Sequence, residues 1–510
     1  MAQDDHPNSS TNERQPLLNH QATDSGEGGD SRDLVSFHDG DGENPRQWSI
    51  HKKMVNVFII ALMSILSPLA SSMFTPGIEQ IADSLATNKE TVIGCTTGFV
   101  IMLGIGPLFL APLSETFGRR VVYLLVIPRT PTLSHRCLYC FRVCFSVFTL
   151  LQIPSALSPN IETLIAMRTL SGFFGAVGIA NGGGTISDMF EPKERASIFG
   201  WYLLGPLLGP TLGPLFGGVI VQRLGWRWIF WVLTIICAVN TAAGFFFLHE
   251  TYTPVLLQWR KQKLEKDEHA PNKYRFEGED DRPLRTKLIH SLGRPPRILL
   301  QPIVLIMSTY QALIFGTTYS IYTNMQPIYQ DDYGFSTEQV GLLYLGPGLG
   351  FLFAVWFLVP RIDTVYNRLT KNNGGKSKPE FRLPLANIGS VLIPGSLFWF
   401  AWTVEYHAHW LASIAATFFY GVGQVMILNT TQNYYIDSFE QYAASAIAAG
   451  ALFRSLFGGA VPLIAPLMFE KLGYGWGISV FAFISVAIAP APLVFFYYGG
   501  KIRERFAVEL

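Results

Sequence analysis

Charge is scarce in this chain: only 15% of its 510 residues are Asp, Glu, Lys or Arg. A soluble protein of that length normally spreads charge along several domains. Here apolar runs almost free of charge alternate with short charged connectors. As a helix, an apolar run of about 20 residues matches the roughly 30 Å hydrocarbon thickness of a bilayer. Many such runs in series describe an all-α membrane protein whose surroundings are lipid. A net charge of +1 argues against nucleic acid as a partner. Cysteine is also sparse, and Cys95, Cys137, Cys140, Cys144 and Cys237 show no secreted-disulfide spacing. The Cys137-x-x-Cys140 pair is not read as a metal site. No cofactor is expected. No GxxxxGK[ST] loop occurs, so transport driven by ATP is not expected. No basic segment leading into an apolar one opens the chain; no cleaved signal peptide is expected, and the first span serves as the insertion signal.

What is present is a pattern of six spans, a charged loop, and six more. The spans read at about 54–75, 91–113, 121–157, 161–187, 196–221 and 228–248, then 302–328, 338–360, 383–404, 409–430, 440–468 and 476–499. Residues 1–47 are polar and Gly-rich and read as a disordered cytoplasmic tail. Residues 48–249 form one six-helix bundle, 250–301 a cytoplasmic central loop, 302–499 a second bundle, and 500–510 a cytoplasmic C-terminus. With the N-terminus inside, 29 of the 38 Lys and Arg fall on the cytoplasmic side, so both termini are read as cytoplasmic.

The two halves repeat. Pro112-Leu113-Ser114-Glu115-Thr116 with Arg120 is echoed by Pro360-Arg361-Ile362-Asp363-Thr364 with Arg368, 248 positions later. Asp188-Met189-Phe190-Glu191 is echoed by Asp437-Ser438-Phe439-Glu440 at an offset of 249. Duplicated halves suit a carrier in which one bundle rocks against the other. The third span breaks the pattern, since Val121–Leu157 is too long for one crossing and too short for two. Its middle holds Arg129, Arg136 and Arg142. Each would cost roughly 2.5–3.5 kcal/mol near a bilayer centre. Removing 126–142 leaves a 21-residue apolar span, so this segment reads as a retained intron or gene-model error.

Several side chains could carry chemistry. Glu115, Arg119, Arg120 and Asp188 lie where a charged clamp could tie cytoplasmic helix ends and act as a gate; plain positive-inside anchoring is the competing reading. Asp363 and Arg368 repeat the pattern in the second half. Arg168 lies eight residues into span 4, or about 12 Å deep, and Arg454 lies within span 11. Intramembrane charges are functional candidates, although packing against helix carbonyls is the alternative. In span 5, Gly209-Pro210, Gly213-Pro214 and Gly217-Gly218 form a small-residue stripe in a helix that the prolines should bend, suiting a hinge or seal between halves. Tyr310, Gln311, Tyr319, Tyr322, Asn324, Gln326, Gln424, Asn429 and Gln432 are polar or aromatic groups within spans and are candidates for a broad amphiphilic site. For any single one of them, helix–helix hydrogen bonding is the favoured reading. No Asp or Glu lies deep in any span, so the residues themselves support proton coupling weakly.

From Trp48 onward the chain resembles the major facilitator superfamily, and within it the fungal twelve-span drug:proton antiporters. Gly106–Arg120 is similar to that superfamily's loop motif between spans 2 and 3, with Ser114-Glu115 where many members carry Ala-Asp. Arg168-Thr169-Leu170-Ser171-Gly172-Phe173-Phe174-Gly175 resembles the span 4 motif whose Arg is linked to proton transfer. Gly209–Gly218 resembles the antiporter motif of span 5. Trp226-Arg227-Trp228-Ile229-Phe230, Glu250-Thr251-Tyr252-Thr253-Pro254 and Tyr442-Ala443-Ala444-Ser445-Ala446 are similar to stretches of the fungal group. In that family span 3 is uninterrupted, so residues 126–142 are a departure. The resemblance implies a monomeric carrier of the plasma membrane that exchanges protons for small amphiphilic compounds, xenobiotics or secondary metabolites, with no catalytic residues. A nutrient or polyamine importer is the rival within transport. A membrane enzyme would need a cluster that His407, His409 and Glu405 do not supply, and a transporter-like sensor would need a longer tail.

Overall fold

The computed structural model describes residues 33–38, 41–123, 144–267, 274–276, 284–439 and 443–506. The candidate insertion 126–142, with Cys137 and Cys140, lies outside the described residues, as do 1–32 of the tail and 507–510.

Helix starts follow local chemistry. Ser49, Asn88 and Asn160 accept the amide of the residue three positions on, opening spans 1, 2 and 4. Ser336 and Gln339 form a reciprocal capping box at span 8. Pro192 and Pro302 occupy the first position of spans 5 and 7, where a missing N–H costs nothing.

Among the described residues ten helical segments are apolar and long enough to cross a bilayer. In the first half they are Ile50–Ser84, Lys89–Phe117, Ile161–Met189, Trp201–Leu224 and Arg227–Phe247 (spans 1, 2, 4, 5 and 6). In the second they are Pro302–Asp331, Thr337–Asn372, Ala386–Glu405, Trp410–Ser438 and Ser445–Arg505 (spans 7 to 10, then 11 and 12 together). The last has 61 residues, about three bilayer thicknesses at 1.5 Å per residue, and it is broken at Gly473, where φ is +73°. Span 3 is represented by Cys144–Ala156. With the last segment counted as two, eleven long spans lie among the described residues, and Cys144–Ala156 stands where the sequence places the twelfth.

Each bundle has its own apolar cores. Met63, Leu69, Phe99, Phe148, Met189 and Leu233 belong to the first, and Ile314, Met325, Ile393, Phe400, Ile427 and Phe481 to the second. The bundles meet where spans 2 and 5 pack on spans 11 and 8. Leu207 of span 5 packs against Phe351, Val422 and Val425 of the second half.

The described part of the tail, residues 33–38 and 41–47, carries structure where disorder is expected. Asp33–Val35 (β1) pairs in parallel with Tyr274–Phe276 (β2) of the central loop, and Arg260 bonds Asp41. Val35, Leu257, Tyr274 and Phe276 bury one another there. Four apolar or aromatic residues spread from Val35 to Phe276 give no local periodicity, which is why composition alone missed them.

Candidate functional site

The charged cluster after span 2 is built on a turn that only glycine makes easily. Gly118 has φ +102°, and a Cβ there would stand 2.5 Å from a Glu250 oxygen. The turn presents the amides of Arg119 and Arg120 to the Glu250 carboxylate at 2.8 and 2.9 Å, and Thr251 and Tyr252 donate theirs at 3.0 Å each. Burial pushes the Glu250 carboxyl above the usual range, against the downward pull of those four amides. Arg119, also buried, donates from Nε to Asp188 at 3.4 Å and from Nη1 to Ser114. Asp188 further accepts from Thr251 Oγ1 at 3.3 Å. Glu115 stands 3.8 Å from Arg119 with its side chain 55% exposed, so it adds little. Arg120 turns away and donates to the Phe245 carbonyl at 3.0 Å. Of the sequence candidates, then, Arg119 and Asp188 meet. Glu250, unassigned as a site residue from sequence, organises them.

In the second half the echo is kept with a different arginine. Asp363 and Asp437 share Arg382, which lies 2.7 Å from Asp437 and 4.0 Å over the Tyr366 ring. Arg368, the partner expected from the repeat, is exposed and is not part of this cluster. The substitution is geometric: Arg368 lies one turn beyond Asp363 on an exposed helix face, whereas the short turn Pro379–Arg382 folds back between the two carboxylates. Nearby, buried Glu380 pairs with Arg503 at 3.5 Å.

The span 5 stripe also differs from expectation. A Cβ at Gly209, Gly213 or Gly217 would meet Pro68, Ser72 or Met73 at 2.8, 2.0 and 2.2 Å, all in span 1 of the same half. The stripe therefore closes spans 1 and 5 on each other, and the helix runs unbroken over Pro192–Leu224 despite Pro206, Pro210 and Pro214. Contact of the stripe with the other half lies at its C-terminal end. There Gly218 faces the Thr337 carbonyl and Pro214 offers its carbonyl to Gly341 of span 8. Beside them Arg223 binds Glu338 at 2.8 Å, and Gln222 caps the Glu338 amide at 2.7 Å.

At the centre, Ser71 Oγ and Tyr319 Oη are 3.1 Å apart, 248 positions apart in sequence. That separation equals the repeat offset, so equivalent residues of spans 1 and 7 touch, as they must on the pseudo-twofold axis. Arg168 is fully buried, donates to the Ser71 carbonyl at 3.5 Å, and stacks over Phe99 and Phe74 at 4.5 and 5.1 Å. Arg454 lies over Phe315 at 4.6 Å. Tyr319 is within electrostatic range of both guanidiniums.

The remaining candidates divide. Gln311 Nε2 and Tyr322 Oη are buried with no protein partner among the described residues, while Tyr310 Oη is directed to Ser390. Gln424 accepts from Thr318 at 3.3 Å. Asn324 and Asn429 bond carbonyls one turn back in their own helices, at 2.7 and 3.2 Å, which is the bland reading. Asn324 and Gln326 also line a small cleft with Glu79 and Lys89.

A profile described as Major Facilitator Superfamily matches residues 60–462. The chain is 40% identical over 475 residues to the "Efflux pump radE" of Floropilus chiversii, covering 92% of this chain and 85% of that protein. It is 37% identical to the "MFS-type transporter penM" of Penicillium rubens, covering 91% and 88% of the two. Among solved structures, the xylose transporter XylE of E. coli, in a partially occluded inward open conformation, superposes with TM-score 0.59 at 15% identity, covering 88% of this chain and 98% of that one.

Proposed function

The chain belongs to the major facilitator superfamily and is a secondary transporter, and from that premise we propose that it exports small amphiphilic compounds in exchange for protons. The observation carrying this reading is the Ser71–Tyr319 contact. It joins equivalent helices of two halves at mid-membrane, beside buried polar groups that have no protein partner. A solute held there is exposed to one side or the other as the halves rock. Export as the direction is supported by relatives such as the pump radE. The carrier acts as a monomer in the plasma membrane with both termini cytoplasmic. The clamps at Arg119–Asp188 and at Arg382 tie helix ends within each half and are remade as the cytoplasmic face opens. Arg168, with no carboxylate near it, tunes a proton step through Ser71 and Tyr319 rather than carrying the proton itself.

The test is efflux from a pump-deficient yeast expressing the chain, preloaded with fluorescent amphiphiles, with and without a protonophore. Efflux that the protonophore abolishes is the expected result. Efflux that persists unchanged marks a facilitator, and dye accumulation marks an importer.

A further inference from the structure

Two positive charges stand in the middle of the molecule without a counter-charge. Arg168 is fully buried, and its Nε and Nη1 have no acceptor. Arg454 is half-buried, and its Nε likewise has none. Among the described residues neither guanidinium has a carboxylate within ion-pair distance; their electrostatic neighbours are Cys95, Tyr319 and Tyr435. Every Asp and Glu of the apolar segments lies near a segment end, as Glu79, Glu90, Glu162, Asp188, Asp331 and Glu470 illustrate.

A purely structural arginine at this depth would have its donors filled by carbonyls or a carboxylate, since an unpaired buried charge is costly. The partial exposure of Arg454 is not lipid exposure. One turn to either side, Gly450 lies against Ser308, Gln311 and Tyr435, and Gly458 against Phe315 and Val100. This face of span 11 therefore looks onto spans 7, 10 and 2, inside the molecule. The walls around the two charges are aromatic, with Phe74, Phe99 and Phe230 about Arg168, and Phe315 beside Arg454. Between them stand Tyr319 and, next to it, Tyr322, whose hydroxyl has no partner. Nothing in the repeat requires two arginines here: by the offset of 249 that holds from span 4 onward, Arg454 corresponds to Gly205 in the first half and Arg168 to Thr417 in the second. The charge is an addition to the symmetric scaffold.

From this arrangement we infer that the central site takes an organic anion, an aromatic carboxylate or phenolate, whose charge is received by Arg454 and whose ring system lies among Phe315, Tyr319 and Tyr322. Arg168 supplies the second positive charge from behind Ser71. The occupant neutralises a charge the protein leaves open, while its apolar body suits the aromatic walls. This deepens the export reading by naming its substrate class, and it rests on the centre being the transport site.

The test uses the full chain in lipid nanodiscs and two dyes that share a xanthene skeleton: anionic carboxyfluorescein and the cationic methyl ester of tetramethylrhodamine. Binding is followed by fluorescence anisotropy at fixed ionic strength. Carboxyfluorescein is expected to bind tighter by about tenfold or more, the discrimination expected of one charge-assisted contact. Arg454→Gln should weaken it by about the same factor, leaving the rhodamine unmoved or improved, while Arg454→Lys keeps most of the anion affinity. Equal binding of the dyes, tighter binding of the cation, no binding of either at millimolar dye, or equal weakening of both by Arg454→Gln overturns the assignment. So does displacement of carboxyfluorescein by millimolar chloride, which marks a simple-ion site. Because the wild-type comparison needs no variant, a misfolded Arg454→Gln leaves the assignment open to refutation. A chain that binds the anion but exports nothing would sink the export reading and leave this one standing.

Discussion

Glu250 holds four main-chain amides inside a nearly dry pocket, and its carboxyl is raised by that burial. The folded chain therefore binds this proton more tightly than the unfolded chain does. Stability from this group is fully present below the ordinary Glu range and falls as pH rises toward the raised value. The melting temperature of purified protein should decline across that window, and Glu250→Gln, which cannot ionise, should lack this component. Identical pH profiles would remove Glu250 as the titrating group. Arg119→Ala acts differently, because it leaves the Asp188 carboxylate, 15% exposed, without its cation. A loss of about 3 kcal/mol is expected, part of which Asp188→Asn should restore in a double-mutant cycle of melting temperatures. At this scale the sequence left open whether Arg119 or Arg120 pairs with Asp188, and the structure brings Arg119 to it. Asp188 was legible because a repeated motif marks it, and Arg119 because it adjoins the echoed Arg120 in a short charged loop. Glu250 and Arg382 were not, because a turn at Gly118 and a fold-back before span 9 bring them in from distant positions.

Elements are where close packing is decided. Spans 1 and 5 approach so nearly that a Cβ on Gly213 would stand 2.0 Å from Ser72 Oγ and 2.7 Å from the Met73 amide nitrogen. Gly213→Val should destabilise the first bundle by about 1–3 kcal/mol, whereas Gly94→Ala, with nothing within 4 Å, should be neutral. Thermal unfolding in one detergent compares the two; equal melting temperatures would mean the helices separate freely. Periodicity alone revealed the glycine stripe but not the helix it faces. Its partner is span 1, and the reading as an inter-half seal fails for Gly209, Gly213 and Gly217 while Gly218 keeps it. Span 3 carries a separate expectation from composition. Expressed without residues 126–142, the chain should reach the membrane in greater amount and export more dye than the full sequence, as surface labelling and efflux would measure. Equal yield and flux would show the segment to be tolerated.

At the scale of the whole molecule, alternating access requires the outer seam to open. Where spans 5 and 8 meet, a Cβ on Gly348 would lie 3.4 Å from the Thr211 Cβ, so cysteines at these two positions, in a background lacking the native five, are close enough to bridge. Oxidation should abolish export and reduction restore it. Unaltered flux with the bridge formed would exclude rocking about this seam. Arg223 and Glu338 span the same seam, but the Arg223 side chain is 65% exposed and the pair holds only weakly. That weakness suits a contact broken once per cycle. Arg223→Ala should therefore leave the melting temperature nearly unchanged.

Apolar run length, the placement of Lys and Arg, and two motif echoes were enough to determine a twelve-span, two-half carrier from sequence. Bilayer thickness and the cost of buried charge act on the chain locally and leave a linear record. Which side chains meet was decided only by tertiary structure. Ser71 reaches Tyr319, Arg382 replaces Arg368, and Arg168 and Arg454 converge on one tyrosine, each through contacts between helices far apart in sequence. Such contacts depend on how helices are rotated and crossed, and a one-dimensional pattern of apolar residues does not specify either.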